Sequence, residues 1–369
     1  MSVSNLRRQW VPIKGGSCDV RIGHQAIDEA SKVISSAVGK PKRALYIRRL
    51  GLDGDLALQI RRQVIDAGFE VTDLVVERDE VRNLETVREI SEALLAAGVT
   101  GDDLCVVVGD ADLISVVSHV LGTWCAGTAV VAFPTDEVAL LEGALVPRGL
   151  DVAGSSEMIA VVPSAKRVMV DSDIAFSEPA SEQRRYVHAL MVAAAMCGSE
   201  RDVQTLWDHT ADIVAGDETA YVNALIACAK SRGQVVSSTA VAIRQSVTYG
   251  RAFARAVSGL VREELPAAEL LGEGMRFAAR ISVGLDKLSV DDMLAQDELL
   301  EALGVGSLTC AVEPGELVDA LKTESFRRQN RFHVLVPLGL GRVRLTAIAD
   351  DLLLEHARAW CAAHAVVGA

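Results

Sequence analysis

The chain has 369 residues, half of them apolar and 24% charged, with a formal net charge of −13. That length exceeds one ordinary hydrophobic core and points to two domains. The acidic balance, with no Lys/Arg-rich run to offset it, excludes nucleic acid and anionic membrane surfaces as partners and leaves any anionic ligand dependent on a locally basic pocket.

The N-terminal MSVSNLRRQWVPIKGG lacks an apolar segment, so no signal peptide is expected. The seven cysteines (18, 105, 125, 197, 228, 310, 361) are scattered without a C-x-x-C pair, most of them in apolar stretches such as DLCVVV and LIACAK. They read as buried free thiols of a reducing, cytoplasmic protein.

Along the first half, strand-like and helix-like stretches alternate. RALYI (43–47) precedes a helix pattern through DGDLALQIRRQVIDAG, which Gly68 closes. EVTDLVV (70–76) precedes a helix over LETVREISEALLAAG, closed by Gly98, and LCVVVG (104–109) follows. From Leu113 to Phe133 no charged side chain occurs, long enough for a membrane span. The polar residues within it and the break at Ala126-Gly127 argue instead for a buried helix, a turn and the core strand TAVVAFP (128–134). RVMVD (167–171) is the last strand of this half.

From about Ser177 helical patterns dominate: SEQRRYVHALMVAAAMCG, SERDVQTLWDHTADIVAG, DETAYVNALIACAKSRG, EGMRFAARISVGLDKL and SVDDMLAQDELLEALG. Ser199, Asp217 and Ser289 are expected N-caps, Ser289 with Asp292 as a loose capping box. In TYGRAFARAV (248–257), Arg251 and Arg255 are four apart on one helix face, where like charges repel unless each has a partner or an anion lies between them. FHVLVPLGLGRVRLTAI reads as a hairpin turning at Gly339-Leu340-Gly341. The architecture is α/β plus α. A Rossmann-like, mostly parallel sheet domain over residues 1–175 is followed by a mainly helical domain with a late β-hairpin over 176–369. Ligands of such sheets bind outside the carboxyl ends of the strands, so the cleft beside those ends is the expected site.

The order of these elements resembles the 3-dehydroquinate synthase family, sugar-phosphate cyclases related to the iron-containing alcohol dehydrogenases. The resemblance is carried by CDVRIGHQAID, ERDEVRNLETVREISEALLAAGVTGDDLCVVVGD, GTWCAGTAVVAFPT, TYGRAFARAV, LLGEGMRFAARISVGLDKLS and RFHVLVPLGLGRV. It implies NAD and a divalent metal held between an α/β domain and a helical domain, and a homodimer.

Position by position, the family's residues are largely replaced. Its Gly-Gly-Gly pyrophosphate loop aligns with Gly109-Asp110-Ala111, and the aspartate that follows it aligns with Ser115. Its Pro-Thr-Thr turn becomes Pro134-Thr135-Asp136. An aspartate facing a pyrophosphate is repulsive, and lost glycines hinder close backbone approach. Retained at cofactor positions are Glu80, Arg82, Gly109 and Thr135; Glu142 and Arg148 keep the charges of a second segment. The metal-binding Glu and two His align with Leu190, Arg251 and Leu271, so no metal site is expected. Leucine has no ligand atom and arginine cannot release its proton to bind a cation. The second histidine of the family's histidine box becomes Arg255. The substrate lysines align with Ala193, Ser325 and Phe326, and Arg232 alone keeps a positive charge at such a place.

Arg148, Arg232, Arg251 and Arg255 are thus candidates to hold a small anion, or Arg251 or Arg255 pairs with Glu273 and fills an emptied site. His119 reads as a satisfied core histidine and His209 as a solvated one. His356, Trp360 and His364, at successive four-residue steps, read as surface packing. Three readings follow: a cofactor-free, catalytically degenerate binding or partner protein, which we favour; an active carbon-oxygen lyase of the shikimate-pathway type with an altered site; or a metal-independent enzyme acting on an anionic substrate.

Overall fold

A computed structural model describes residues 6–40, 42–161 and 165–365, and the chain divides into two compact units, Met1–Ser177 and Glu178–Ala369. The first is built on strands β1 (Arg7–Ile13), β2 (Gly16–Gly23), β3 (Arg43–Arg49), β4 (Glu70–Val76), β5 (Leu104–Gly109) and β6 (Ala129–Pro134). A small hairpin, β7 (Leu150–Val152) with β8 (Ser155–Ile159), precedes β9 (Ala165–Asp171). The seven-stranded sheet runs β1-β2-β9-β6-β5-β3-β4 and is parallel except for the β1–β2 hairpin.

The central strands are β5 and β6, where every residue is buried. That follows from continuous apolar runs with a covering layer on each face. The connecting helices show one apolar stripe each: in Gly54–Asp66 the buried residues are Ala57, Ile60 and Val64. Asp53, Asn83 and Asp110 cap three helix starts by accepting the backbone N–H three residues on, and Gly68 and Gly98 end two helices with positive φ.

The β1–β2 hairpin, absent from the sequence reading, carries a fully buried acid. Asp19 is ringed by Arg8 (2.8 Å), Arg21 (3.1 Å) and Arg167 (3.6 Å). Burial pushes its carboxyl up, but the hydrogen bonds and charges of Arg8 and Arg21 outweigh this and hold it below the usual range. The charge-free segment is the helix Ala111–Thr123, a turn with Gly127 at positive φ, and β6, as expected. No described helix is long and apolar enough to cross a membrane. Six of the seven cysteines are buried free thiols; Cys125 is the exposed exception.

The second unit centres on helices Glu182–Gly198 and Ala267–Gly284, which bury most of their circumference. Arg251–Leu260 crosses the latter where two glycines meet: a Cβ on Gly274 would collide with the Gly250 carbonyl, and Gly250 itself has a φ of 82°. Only glycine allows that approach and that backbone conformation. Ser199, Asp217 and Ser289 cap helices as expected, whereas the helix read through SERDVQTLWDHTADIVAG breaks at His209 into Glu200–Asp208 and Thr210–Val214. Strands β10 (His333–Pro337) and β11 (Val343–Ala347) form the late hairpin.

Candidate functional site

In the first unit the chain runs from β3 to β4 on one side and then crosses to β5 on the other side of β3. The crevice outside the carboxyl ends of β3 and β5 is therefore the topological switch point, where ligands of open α/β sheets bind. Its walls are Arg49, at the end of β3, and the start of the helix Ala111–Thr123 after β5. Asp110 caps that helix, its Oδ1 accepting from the Leu113 N–H (2.8 Å), while Arg49 Nε lies 3.5 Å from its other oxygen. The segment Ala139–Ala144 packs onto the same helix start so closely that a Cβ on Gly143 would lie 2.9 Å from the Ala111 Cα.

A chain of charges continues from there. Asp112 Oδ1 lies 2.9 Å from Arg82 Nε and 3.2 Å from Arg148 Nη1. The first contact is an ion pair without hydrogen-bond alignment. Arg82 donates through Nη1 to the Gly149 carbonyl (2.8 Å) and to Asp151 (3.1 Å). Arg148 donates through Nε and Nη2 to one oxygen of the fully buried Glu142 (3.1 and 2.7 Å). The Arg148 backbone N–H is held by Ser115 Oγ. Beside this network, burial pushes the Asp136 carboxyl up, and the charges of Glu137 and Asp110 add to the shift.

In the second unit the charged centre is Glu273, 1% exposed on the helix Ala267–Gly284. It receives Arg276 Nη1 at 3.1 Å, Trp360 Nε1 at 2.8 Å and His364 Nε2 at 3.0 Å. His364 Nδ1 lies 2.7 Å from the Trp360 carbonyl. Both ring nitrogens thus face acceptors, an arrangement that favours the doubly protonated imidazole. Its pKa is raised, first by the Glu273 hydrogen bond. Burial pushes Glu273 up, but His364, Trp360 and Arg276 outweigh it and leave the carboxyl below its usual range.

No family model matches the chain. The 3-dehydroquinate synthase of Corynebacterium jeikeium is 21% identical over 357 residues, covering 95% of this chain and 96% of that protein. That of Arthrobacter sp. is 23% identical over 345 residues, covering 91% and 92%. Among solved structures, a 2-deoxy-scyllo-inosose synthase complexed with carbaglucose-6-phosphate, NAD+ and Co2+ superposes with a TM-score of 0.77 at 16% identity, covering 96% of this chain and all of that one. The 2-epi-5-epi-valiolone synthase ValA of Streptomyces hygroscopicus, with NAD+ and Zn2+ bound, gives 0.77 at 17% identity, covering 96% and 99%. Over most of its length the chain is similar in sequence to 3-dehydroquinate synthases, and it shares its fold with the two solved synthases.

Against that dehydroquinate synthase-like fold, the sequence-expected positions fall as follows. Arg82, Glu142 and Arg148 are brought together in the ion chain above, and Thr135 donates its backbone N–H to the Gly109 carbonyl (3.1 Å) at the adjoining strand ends. Glu80 is apart from them: its side chain is exposed, and its backbone carbonyl accepts from Asn83. Arg232 is buried and lines a small cavity with Ala193 and Cys197, so the retained cation and one replaced lysine position do meet. Leu190 and Leu271 are buried, and Arg251 and Arg255 are half-buried on the first turns of Arg251–Leu260.

Glu273, the partner expected for Arg251 or Arg255, engages a cation of its own helix and two side chains of the last helix. Arg276 is three residues along the same helix, and Trp360 and His364 reach in from Asp350–His364. This also corrects the surface-packing reading of Trp360, which is 4% exposed, and of His364, which stacks on it at 4.5 Å between ring centroids. The four-residue spacing was visible in the sequence, but its carboxylate partner lies on another helix. His119 is half-buried rather than a core residue, and His209 is exposed with Nδ1 on the Thr205 carbonyl. Among the described residues no group of three or more His, Cys, Asp or Glu is placed to hold a metal ion. A mostly apolar pocket of the helical unit, about 90 Å³, has Asp202 and His209 among its walls.

Proposed function

We propose that this dehydroquinate synthase-like chain does not run the ancestral cyclase reaction and serves as a cofactor-free binding or partner protein. The observation that carries the reading is the side-chain chemistry at the positions matching the family's metal ligands. Leu190 and Leu271 are buried hydrocarbon, and Arg251 is a permanent cation. Neither fits a divalent ion, and the nearby Glu273 is already engaged by Arg276, Trp360 and His364. A metal in such enzymes supplies several kcal/mol of charge stabilisation at the reacting oxygen, and this set of side chains offers no replacement for it. The cofactor side supports the same reading, since Asp110 rather than glycine stands at the helix start that would face a pyrophosphate.

The test is phosphate release from the seven-carbon sugar acid phosphate of the shikimate pathway, with NAD and excess zinc or cobalt. The reading expects release no faster than in protein-free controls. Steady turnover proportional to protein concentration would overturn it and leave the altered-site lyase standing.

A further inference from the structure

The start of the helix Ala111–Thr123 holds an arrangement that the loss of a metal does not explain. Two guanidiniums converge on a single oxygen, Asp112 Oδ1, from Arg82 and Arg148. Converging arginines are how proteins grip one oxygen of a phosphoryl group, because the planar donor forks are rigid and always charged. Here the gripped oxygen belongs to the chain itself. Each arginine is also fixed from behind, Arg82 by the Gly149 carbonyl and Asp151, and Arg148 by the buried Glu142. Three carboxylates therefore share two guanidiniums, leaving the cluster with a net negative charge that repels a second anion. The geometry is a preorganised clamp with an internal occupant.

We propose that Arg82 and Arg148 form a phosphate-class anion clamp held shut by Asp112, so that the chain excludes dinucleotides and free phosphates until that carboxylate is neutralised. Asp112 is 40% exposed, so the clamp faces solvent, while the side chains of Arg82 and Arg148 are 16% and 25% exposed and stay in place when their occupant changes. This deepens the cofactor-free part of the proposed function and is independent of its metal and cyclase parts. A chain without a metal site could still bind NAD, and one with a closed clamp could still act on a substrate elsewhere.

The experiment is thermal unfolding of the full chain with inorganic pyrophosphate, and separately with NAD, against sodium chloride of equal ionic strength. The wild-type protein should show no ligand-specific shift. Asp112→Asn, which keeps the shape and removes the charge, should gain a pyrophosphate-dependent rise of about 2 °C or more. Asp112→Ser carries the same expectation should the asparagine variant fold poorly, and adding Arg82→Gln to either should abolish the gain. A specific shift in the wild type with either ligand would overturn the proposal by showing the clamp open. A folded Asp112 variant with no response would overturn it by showing that the arginines do not form an anion site. Phosphate release from the sugar acid substrate would bear on the proposed function and leave the clamp untouched.

Discussion

The two charged centres of this molecule are filled in different ways. In the first unit, positions matching a cofactor site keep their charges, and the chain turns them on one another: Glu142, Arg148, Asp112, Arg82 and Asp151 form one line of alternating sign. In the second unit two of the three matching metal positions are leucine and the third is Arg251, and one acid, Glu273, gathers a cation, an imidazole and an indole around it. The first is a distributed network at a partly exposed edge; the second is a single buried hub. Distributed partners compensate one another when one is lost, whereas a hub leaves several groups uncompensated at once.

Breaking the hub should therefore cost most. Glu273→Leu leaves Arg276 with two backbone carbonyls and strands His364 and the Trp360 N–H, and should lower stability by about 3 kcal/mol in urea titrations. Glu273→Gln should cost less, because it still accepts from Trp360. Arg148→Met should cost about 2 kcal/mol, mainly through the buried Glu142 carboxylate. Equal losses for Glu273→Leu and Arg148→Met would remove the distinction between hub and network.

The hub also has a pH signature. His364 has a raised folded-state pKa, so its contribution is complete below the ordinary imidazole value of 6.5 and is lost as pH rises through the folded-state value. Glu273 has a lowered one, so its contribution is complete above 4.5 and is lost as pH falls through the folded-state value. The difference in urea midpoint between wild type and His364→Asn should be largest between those two values and shrink towards alkaline pH. A difference independent of pH would mean that the ring acts by packing alone. The smallest effect is expected at the exposed Arg88–Glu92 pair, 4.0 Å apart on a helix surface, where Glu92→Gln should change stability by less than about 0.5 kcal/mol.

What the sequence made legible follows the same physics. LCVVVG and EVTDLVV give strands with the expected bounds, because a run of apolar, β-branched residues between turn signals is a local property. The β1–β2 hairpin was not legible: RRQWVPI and GSCDVRIG are broken by charges, and Asp19 becomes tolerable in a buried strand only through Arg8, Arg21 and Arg167. The candidate site divides likewise. Spacing and resemblance mark Arg82, Glu142 and Arg148 as charges worth following. Which acid each arginine meets depends on contacts across the fold, and Asp112 emerges as their shared partner only in three dimensions. Trp360 and His364 declare their spacing, but Glu273 lies 87 and 91 residues away in the chain.

The most direct test of the account is equilibrium dialysis of the purified full chain against cobalt or zinc and NAD together, followed by metal analysis and nucleotide absorbance. Leucines at two of the three matching ligand positions and a carboxylate in the arginine clamp predict well below one metal and one NAD per chain. Binding of both near one per chain would contradict it.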